Sequence, residues 1–75
     1  MAHEKVKPTR KQFAGYLKVQ KSGVTNMYDV RKVCELADCG LTMENCLYIF
    51  TDHNYSDLCD EYGLTMNNVY SQEVF

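Results

Sequence analysis

Three glycines divide this 75-residue chain into short segments, and each is followed by residues that can begin a new helix. They are Gly23, Gly40 and Gly63, and the hexapeptide at Gly40 (Gly-Leu-Thr-Met-Glu-Asn) recurs at Gly63 as Gly-Leu-Thr-Met-Asn-Asn. Glycine readily adopts the left-handed backbone that ends a helix, and threonine caps the start of the next one. The chain is therefore predicted to form short helices joined by tight corners.

The stretches between these corners show helical spacing, because apolar residues recur three and four positions apart. The predicted helices cover residues 9–22, then Thr25 or Asn26 to Gly40, then a third helix capped by Thr42, then Asn54 or Ser56 to Gly63, with one more turn after Thr65. The predicted core face of the third helix consists of Met43, Cys46, Leu47 and Phe50. Strand-like alternation never lasts beyond four residues. We predict an all-α fold, a small bundle of four or five short helices.

The length limits the fold to one small domain with a marginal core. Residues 1–8 are polar and end in the only proline, so we expect a flexible N-terminal arm, a single helical domain over residues 9–70 and a frayed tail over residues 71–75. No apolar run approaches the ~20 residues that span a membrane, and the N-terminus does not read as a signal peptide. We expect a cytoplasmic protein without a membrane partner.

The cysteines do not have the spacing of a metal site. Consecutive cysteines are separated by four, six and twelve residues, whereas strong zinc sites use close pairs such as Cys-x2-Cys. We expect free, reduced thiols at Cys34, Cys39, Cys46 and Cys59, with no metal and no cofactor. The sequence also contains no nucleophile–base motif, phosphate loop or carboxylate pair, so we do not expect an enzyme.

Charge is distributed unevenly along the chain. Residues 1–32 hold all eight Lys and Arg and two acidic residues, a net charge of +6, whereas residues 33–75 hold eight acidic residues and no basic one, a net charge of −8. The basic residues that could bind nucleic-acid phosphates are Lys5, Lys7, Arg10, Lys11, Lys18 and Lys21. Alternatively, they form the solvated face of the first helix, or the two halves neutralise each other within the fold or across a dimer.

Residues 33–49 fit a helix-turn-helix, which we predict at the centre of the bundle. Its packing requirements are met by a glycine in the turn and three apolar residues, namely Gly40, Leu41, Cys46 and Ile49. In a DNA-binding protein the second helix would present Met43, Glu44, Asn45 and Tyr48 to the bases, where Asn45 can bind adenine. That helix contains no Lys or Arg, and Glu44 would face phosphates, so DNA reading through it is disfavoured.

The second half of the chain combines acidic and aromatic side chains. Exposed aromatic residues are common at protein interfaces, and an acidic surface attracts a basic partner. The predicted partner-binding face consists of Tyr28, Glu44, Tyr48, Asp52, Asp57, Asp60 and Glu61. The alternative is a solvated acidic surface whose tyrosines are covered by the end of the chain.

The stretch Ser22-Gly23-Val24-Thr25-Asn26-Met27-Tyr28-Asp29 resembles a motif found in a known group of proteins. These are small uncharacterised proteins of phages and prophages in Firmicutes with the pattern Ser-Gly-x-Thr-Asn-Met-aromatic-Asp, and the similarity covers residues 16–62. The resemblance implies a small intracellular phage-encoded protein and supplies no catalytic residues. Local chemistry predicts a rigid helix–helix corner, whose structural residues are Gly23, Thr25, Asn26, Met27, Gly40 and Thr42.

These observations lead to a functional hypothesis and one alternative. The chain is predicted to be a phage-type accessory protein that binds another protein, for example an inhibitor of a host defence or nucleic-acid-processing machine. The alternative is a helix-turn-helix-like DNA-binding regulator that contacts phosphates through its basic first helix. A homodimer is compatible with either function.

Overall fold

The computed structural model describes residues 4–70, which form four α-helices and no strand. The helices are α1 (Arg10–Ser22), α2 (Val30–Ala37), α3 (Met43–Phe50) and α4 (Asn54–Tyr62). A turn over residues 66–70 follows α4. The predicted all-α bundle of short helices is confirmed.

Helix α1 lies at the centre of the bundle. It begins in a capping box, in which Thr9 Oγ1 accepts from the Gln12 N–H and Gln12 Oε1 accepts from the Thr9 N–H. It ends at Gly23, whose φ of 64° is left-handed. Residues 13–17 are all buried, so the middle of the helix is covered on every side. The predicted start and end of this helix are confirmed.

A close approach between α1 and the end of α2 depends on Gly15. A β-carbon at this position would overlap the Cys39 sulfur and lie 3.3 Å from the Ala37 β-carbon. Hydrogen is therefore the only side chain that fits without a shift of its neighbours.

Helix α2 begins later and ends earlier than the sequence predicts. The Asn26 side chain caps a separate turn, because its Oδ1 accepts from the Tyr28 N–H at 2.9 Å. Asp29 is the N-cap of α2, and its carboxylate accepts from the Lys32 N–H at 3.5 Å. The helix ends at Asp38, which has a φ of 47°, before Gly40 is reached. The predicted cap at Thr25 or Asn26 and the predicted end at Gly40 are wrong.

Helix α3 is capped by Thr42 as predicted, but a different face is buried. Asn45, Cys46 and Ile49 point into the protein, whereas Met43 and Phe50 are 42% and 39% exposed. The side-chain amide of Asn45 is hydrogen-bonded inside the protein, and the side of the helix that carries it faces inward. Of the predicted core face, only Cys46 is fully buried.

The helix-turn-helix-like centre is formed by α2, the connection over residues 38–42, and α3. The two helices are in contact. Leu41, Cys46 and Ile49 are buried where such a unit needs apolar packing. The predicted packing of this unit is confirmed.

The N-terminal segment differs from the flexible arm predicted over residues 1–8, because residues 6–8 are held against α3 and α4. The Val6 N–H donates to the Glu44 carbonyl at 3.2 Å, and Asn45 Nδ2 donates to the Val6 carbonyl at 2.9 Å. Pro8 is buried, and the Tyr62 hydroxyl donates to its carbonyl at 2.7 Å. Residues 1–3 lie outside the described part of the chain.

The corner that follows α4 repeats the one before α3. Gly63 has a φ of 66° and Leu64 is buried, as Leu41 is in the first copy. The Thr65 N–H donates to Asn68 Oδ1 at 2.7 Å, and Asn68 Nδ2 donates to the Gly63 carbonyl at 3.1 Å. The predicted turn after Thr65 is confirmed, whereas the predicted frayed tail lies outside the described residues.

Candidate functional site

Helix α3 is apolar on its outer side as well as on its core side. Glu44 is the one charged residue among its eight. Met43, Leu47 and Phe50 are spaced i, i+4 and i+7, which places them within about 60° of each other around the axis. Met43 and Phe50 are exposed and Leu47 is half-buried. The outer side of α3 therefore carries a continuous apolar stripe.

Tyr28 extends this stripe from the loop before α2. Its side chain is 81% exposed, and its ring centroid lies 5.9 Å from that of Phe50. Phe50 in turn packs edge-on against the buried Tyr16, with ring centroids 6.4 Å apart. We call Tyr28, Met43, Leu47 and Phe50 the α3 face.

Three of the four residues of the α3 face were not among the predicted partner-binding residues. Met43, Leu47 and Phe50 had been assigned to the core because apolar periodicity alone does not show which side of a helix is covered. The signal in the sequence was the composition of α3, because six of its eight residues are apolar or aromatic, which is more than one side of a short helix holds.

The predicted partner-binding residues do not form one surface. Tyr48 lies about 100° around the axis from Leu47, about 140° from Met43 and about 160° from Phe50, so it points away from the stripe. Its side chain is half-buried and packs against the core. Asp52, Asp57 and Asp60 are exposed around the start and outer side of α4. Only Tyr28 of this set belongs to the α3 face.

Lys7 and Glu61 form an ion pair between the N-terminal segment and α4. The distance from Lys7 Nζ to the nearer Glu61 oxygen is 2.6 Å, and the hydrogen bond with Glu61 raises the pKa of Lys7. One predicted phosphate-binding residue and one predicted acidic-face residue therefore bind each other.

The basic residues of α1 point to one side of that helix. Arg10, Lys11, Lys18 and Lys21 fall within about 100° around the axis. Ala14 lies in the middle of this arc and is buried, so the arc is interrupted by covered surface. At its far end the Lys18 ammonium is 5.6 Å from the centre of the Tyr70 ring. Lys5 is exposed in the N-terminal segment, away from the helix.

The four residues predicted to contact DNA bases cannot all do so. Asn45 is 2% exposed, and both ends of its amide are hydrogen-bonded inside the protein. The prediction that Asn45 can bind adenine is therefore wrong. Helix α3 also presents no basic side chain to a phosphate.

The residues predicted to form the helix–helix corner lie in turns or cap helices and turns. Gly23 and Gly40 have φ values of 64° and 81°, and Thr42 caps α3. Asn26 caps the turn that carries Tyr28, and Met27 packs partly buried against the core. Thr25, between the two corners, is half-buried.

The four cysteines are free thiols. Burial raises the pKa of Cys46 to about 12, and it also raises the pKa of Cys34 and Cys59. A high pKa leaves little thiolate, so these three side chains are weak nucleophiles. Within residues 4–70, no three His, Cys, Asp or Glu side chains are grouped so that they could hold a metal ion.

Comparison with known proteins gave no match to a protein-family model, a curated protein or a solved structure. The resemblance of residues 16–62 to phage and prophage proteins stays a prediction. Across the described part of the chain, no helix has both the length and the apolar character needed to cross a bilayer.

Proposed function

We propose that this chain is a small protein-binding module that contacts its partner through the α3 face. The observation that carries the proposal is the exposure of Met43 and Phe50 on α3, with Tyr28 of the preceding loop packed beside Phe50. Contiguous apolar surface on a soluble domain is typical of interaction sites.

The side chains of the α3 face suit a protein interface. Aromatic residues and methionine are enriched at such interfaces, and charged residues are depleted at their centres. Among residues 4–70, Tyr28 is the most exposed of the large apolar side chains, and its ring rests on Phe50, which packs on the core in turn. An aromatic ring supported in this way loses little conformational entropy on binding.

The resemblance to phage and prophage proteins extends this proposal to the kind of partner. A host or phage protein of a defence or nucleic-acid-processing machine would be bound and inhibited through the α3 face. The acidic side chains at Asp52 and Asp57 would then favour a partner with a basic rim.

Site-specific photo-crosslinking tests the proposal. A benzophenone side chain replaces Tyr28 in one variant and Tyr70 in a control. Tyr70 is also exposed but lies beside Lys18, about 160° around α1 from Tyr16, whose ring contacts Phe50 of the α3 face. We expect a defined product from position 28 in producing or infected cells, and competition by the unmodified chain. Equal products from both positions, or none from position 28, would contradict the proposal.

A DNA-binding regulator is the second candidate, and the arc of basic residues on α1 is the observation in its favour. Gel-shift binding at low and at physiological salt distinguishes it from the first candidate. A regulator retains sequence-dependent binding at physiological salt, with a slope of about 0.9 per phosphate contacted. Lys11→Glu and Lys21→Glu would then weaken binding, whereas Met43→Gln would not.

A further inference from the structure

A groove runs along α1 on the side that faces the end of α2. It consists of two cavities of about 250 and 220 Å³, and both are lined by Gly15, Lys18 and Ala37, so the cavities are continuous. Because Gly15 has no side chain, the end of α2 approaches α1 closely at the middle of the groove. We call this surface the α1–α2 groove.

The rim of the groove exposes apolar side chains. Val24, Leu36 and Tyr70 line the larger cavity, and they are 64%, 42% and 56% exposed. Contiguous apolar surface around a concave site is typical of a place where another segment of protein binds.

The groove also carries a net positive charge. Of the described residues that line it, Lys11 and Lys18 are basic and only Asp38 is acidic. The two lysines are seven positions apart on α1, which is about 10 Å along the helix axis. A groove of this charge favours an occupant that carries a carboxylate as well as apolar side chains.

The chain itself reaches the groove at Tyr70. Lys18 Nζ is 5.6 Å from the centre of the Tyr70 ring, and both residues line the larger cavity, so residue 71 starts beside the groove. Residues 71–75 follow with the sequence Ser-Gln-Glu-Val-Phe, and five extended residues reach up to about 17 Å. They are therefore long enough to follow α1 past both lysines. A segment tethered this closely has a high effective concentration at the site.

The order of the side chains in residues 71–75 matches the order of features along the groove. Three extended residues span about 10 Å, so Glu73 reaches Lys11 when the segment runs along α1 from Tyr70. Alternate side chains of an extended segment point the same way, so Phe75 points into the groove with Glu73, whereas Val74 points away from it. The aromatic ring then lies at the smaller cavity.

We propose that residues 71–75 occupy the α1–α2 groove of their own chain, with Glu73 beside Lys11 and Phe75 in the smaller cavity. The end of the chain then covers one apolar surface of the domain and leaves the α3 face open to a partner. The α3 face lies on another side of α1, so this inference goes beyond the proposed function and does not depend on it.

Alkylation of Cys39 tests the position of Phe75, because this half-buried thiol lines the smaller cavity. The full chain is compared with Phe75→Ser and Val74→Ser, and the labelled cysteine is identified by mass spectrometry. Phe75→Ser should speed the labelling of Cys39 about threefold or more, whereas Val74→Ser should leave it within about 1.5-fold. Cys46 is fully buried, so unchanged labelling of Cys46 shows that both variants remain folded. Equal labelling rates of Cys39 in the two variants would overturn the proposal.

Photo-crosslinking tests the register without removing the aromatic ring. A benzophenone side chain replaces Phe75 in the purified full chain, and we expect intramolecular products at residues 11–18 or 37–39. Glu73→Lys and Lys11→Glu should each lower the yield about twofold, with smaller effects at high salt, and the two changes together should restore it. Products on the α3 face, products only between two chains, or no restoration by the double variant would overturn the proposal.

Discussion

Replacement of Asn45 by alanine is expected to destabilise the protein through the loss of three hydrogen bonds at the start of α3. Its Oδ1 accepts from the N–H and the hydroxyl of Thr42 at 3.0 and 2.9 Å, and its Nδ2 donates to the Val6 carbonyl at 2.9 Å. A typical hydrogen bond contributes about 1 kcal/mol net, so losing three costs about 2–3 kcal/mol. For a domain of this size that lowers the melting temperature by roughly 10–20 °C. Urea unfolding followed by circular dichroism measures the change in the free energy of unfolding.

Asn68 provides a matched control because it occupies the same position in the second corner. It accepts from the Thr65 N–H and donates to the Gly63 carbonyl, but both bonds are local and exposed to solvent. Asn68→Ala should therefore cost about 1 kcal/mol or less, since water replaces exposed bonds. If the two variants differ by less than about 0.5 kcal/mol, the reasoning from burial and from the bond to Val6 is refuted.

Asn45→Asp separates the two functions of the amide. It keeps an acceptor for the Thr42 N–H but removes the donor to the Val6 carbonyl. We expect faster hydrogen exchange at the Val6 amide, which is bonded to Glu44 in the native protein, with the cap of α3 retained. Unchanged exchange at Val6 would show that the N-terminal segment is held by other contacts.

Three further experiments test the packing at Gly15, the hydrogen bond of Tyr62 and the burial of Cys46. Gly15→Ala should destabilise the protein by about 0–2 kcal/mol, because overpacking costs about 1–3 kcal/mol and helix propensity returns up to about 1 kcal/mol. In a Cys39→Ala background the same change should become neutral or stabilising, as measured by urea unfolding. Tyr62→Phe should cost about 1 kcal/mol through loss of its bond to Pro8, detected by thermal melting. Cys46 should react with a disulfide reagent only when the protein unfolds, because it is fully buried and its pKa of about 12 leaves little thiolate; labelling of the native protein as fast as a urea-unfolded control would contradict this.

The sequence predicted most accurately the features that depend on a few neighbouring residues. The start of α1 at Thr9, the start of α3 at Thr42 and the ends at Gly23 and Gly63 each follow from one cap or one left-handed glycine. Such signals act within four residues and need no knowledge of the tertiary fold.

The features that the sequence did not predict depend on contacts between distant residues. The buried side of α3 packs Cys46 and Ile49 into the core and includes Asn45, whose bond to Val6 joins residues 39 apart in the sequence. The α3 face was not predicted for the same reason. Met43 and Phe50 have the spacing of a core stripe, although they are exposed in the structure. The late start of α2 has a local cause. Asn26 and Asp29 can both cap a helix, but Asn26 caps a separate turn and Asp29 is the residue that caps α2.

The attachment of the N-terminal segment has a consequence for the order in which the protein can form during synthesis. Val6 is made early, but its partner Asn45 follows 39 residues later, and the tyrosine that binds Pro8 follows it by 54 residues. The native contacts of residues 6–8 with Asn45 and Tyr62 therefore cannot form until residue 62 has been synthesised. Contacts that are this far apart in sequence slow folding, because loop closure must precede any gain in stability. The contacts of residues 6–8 with α3 and α4 are thus expected to form late in folding.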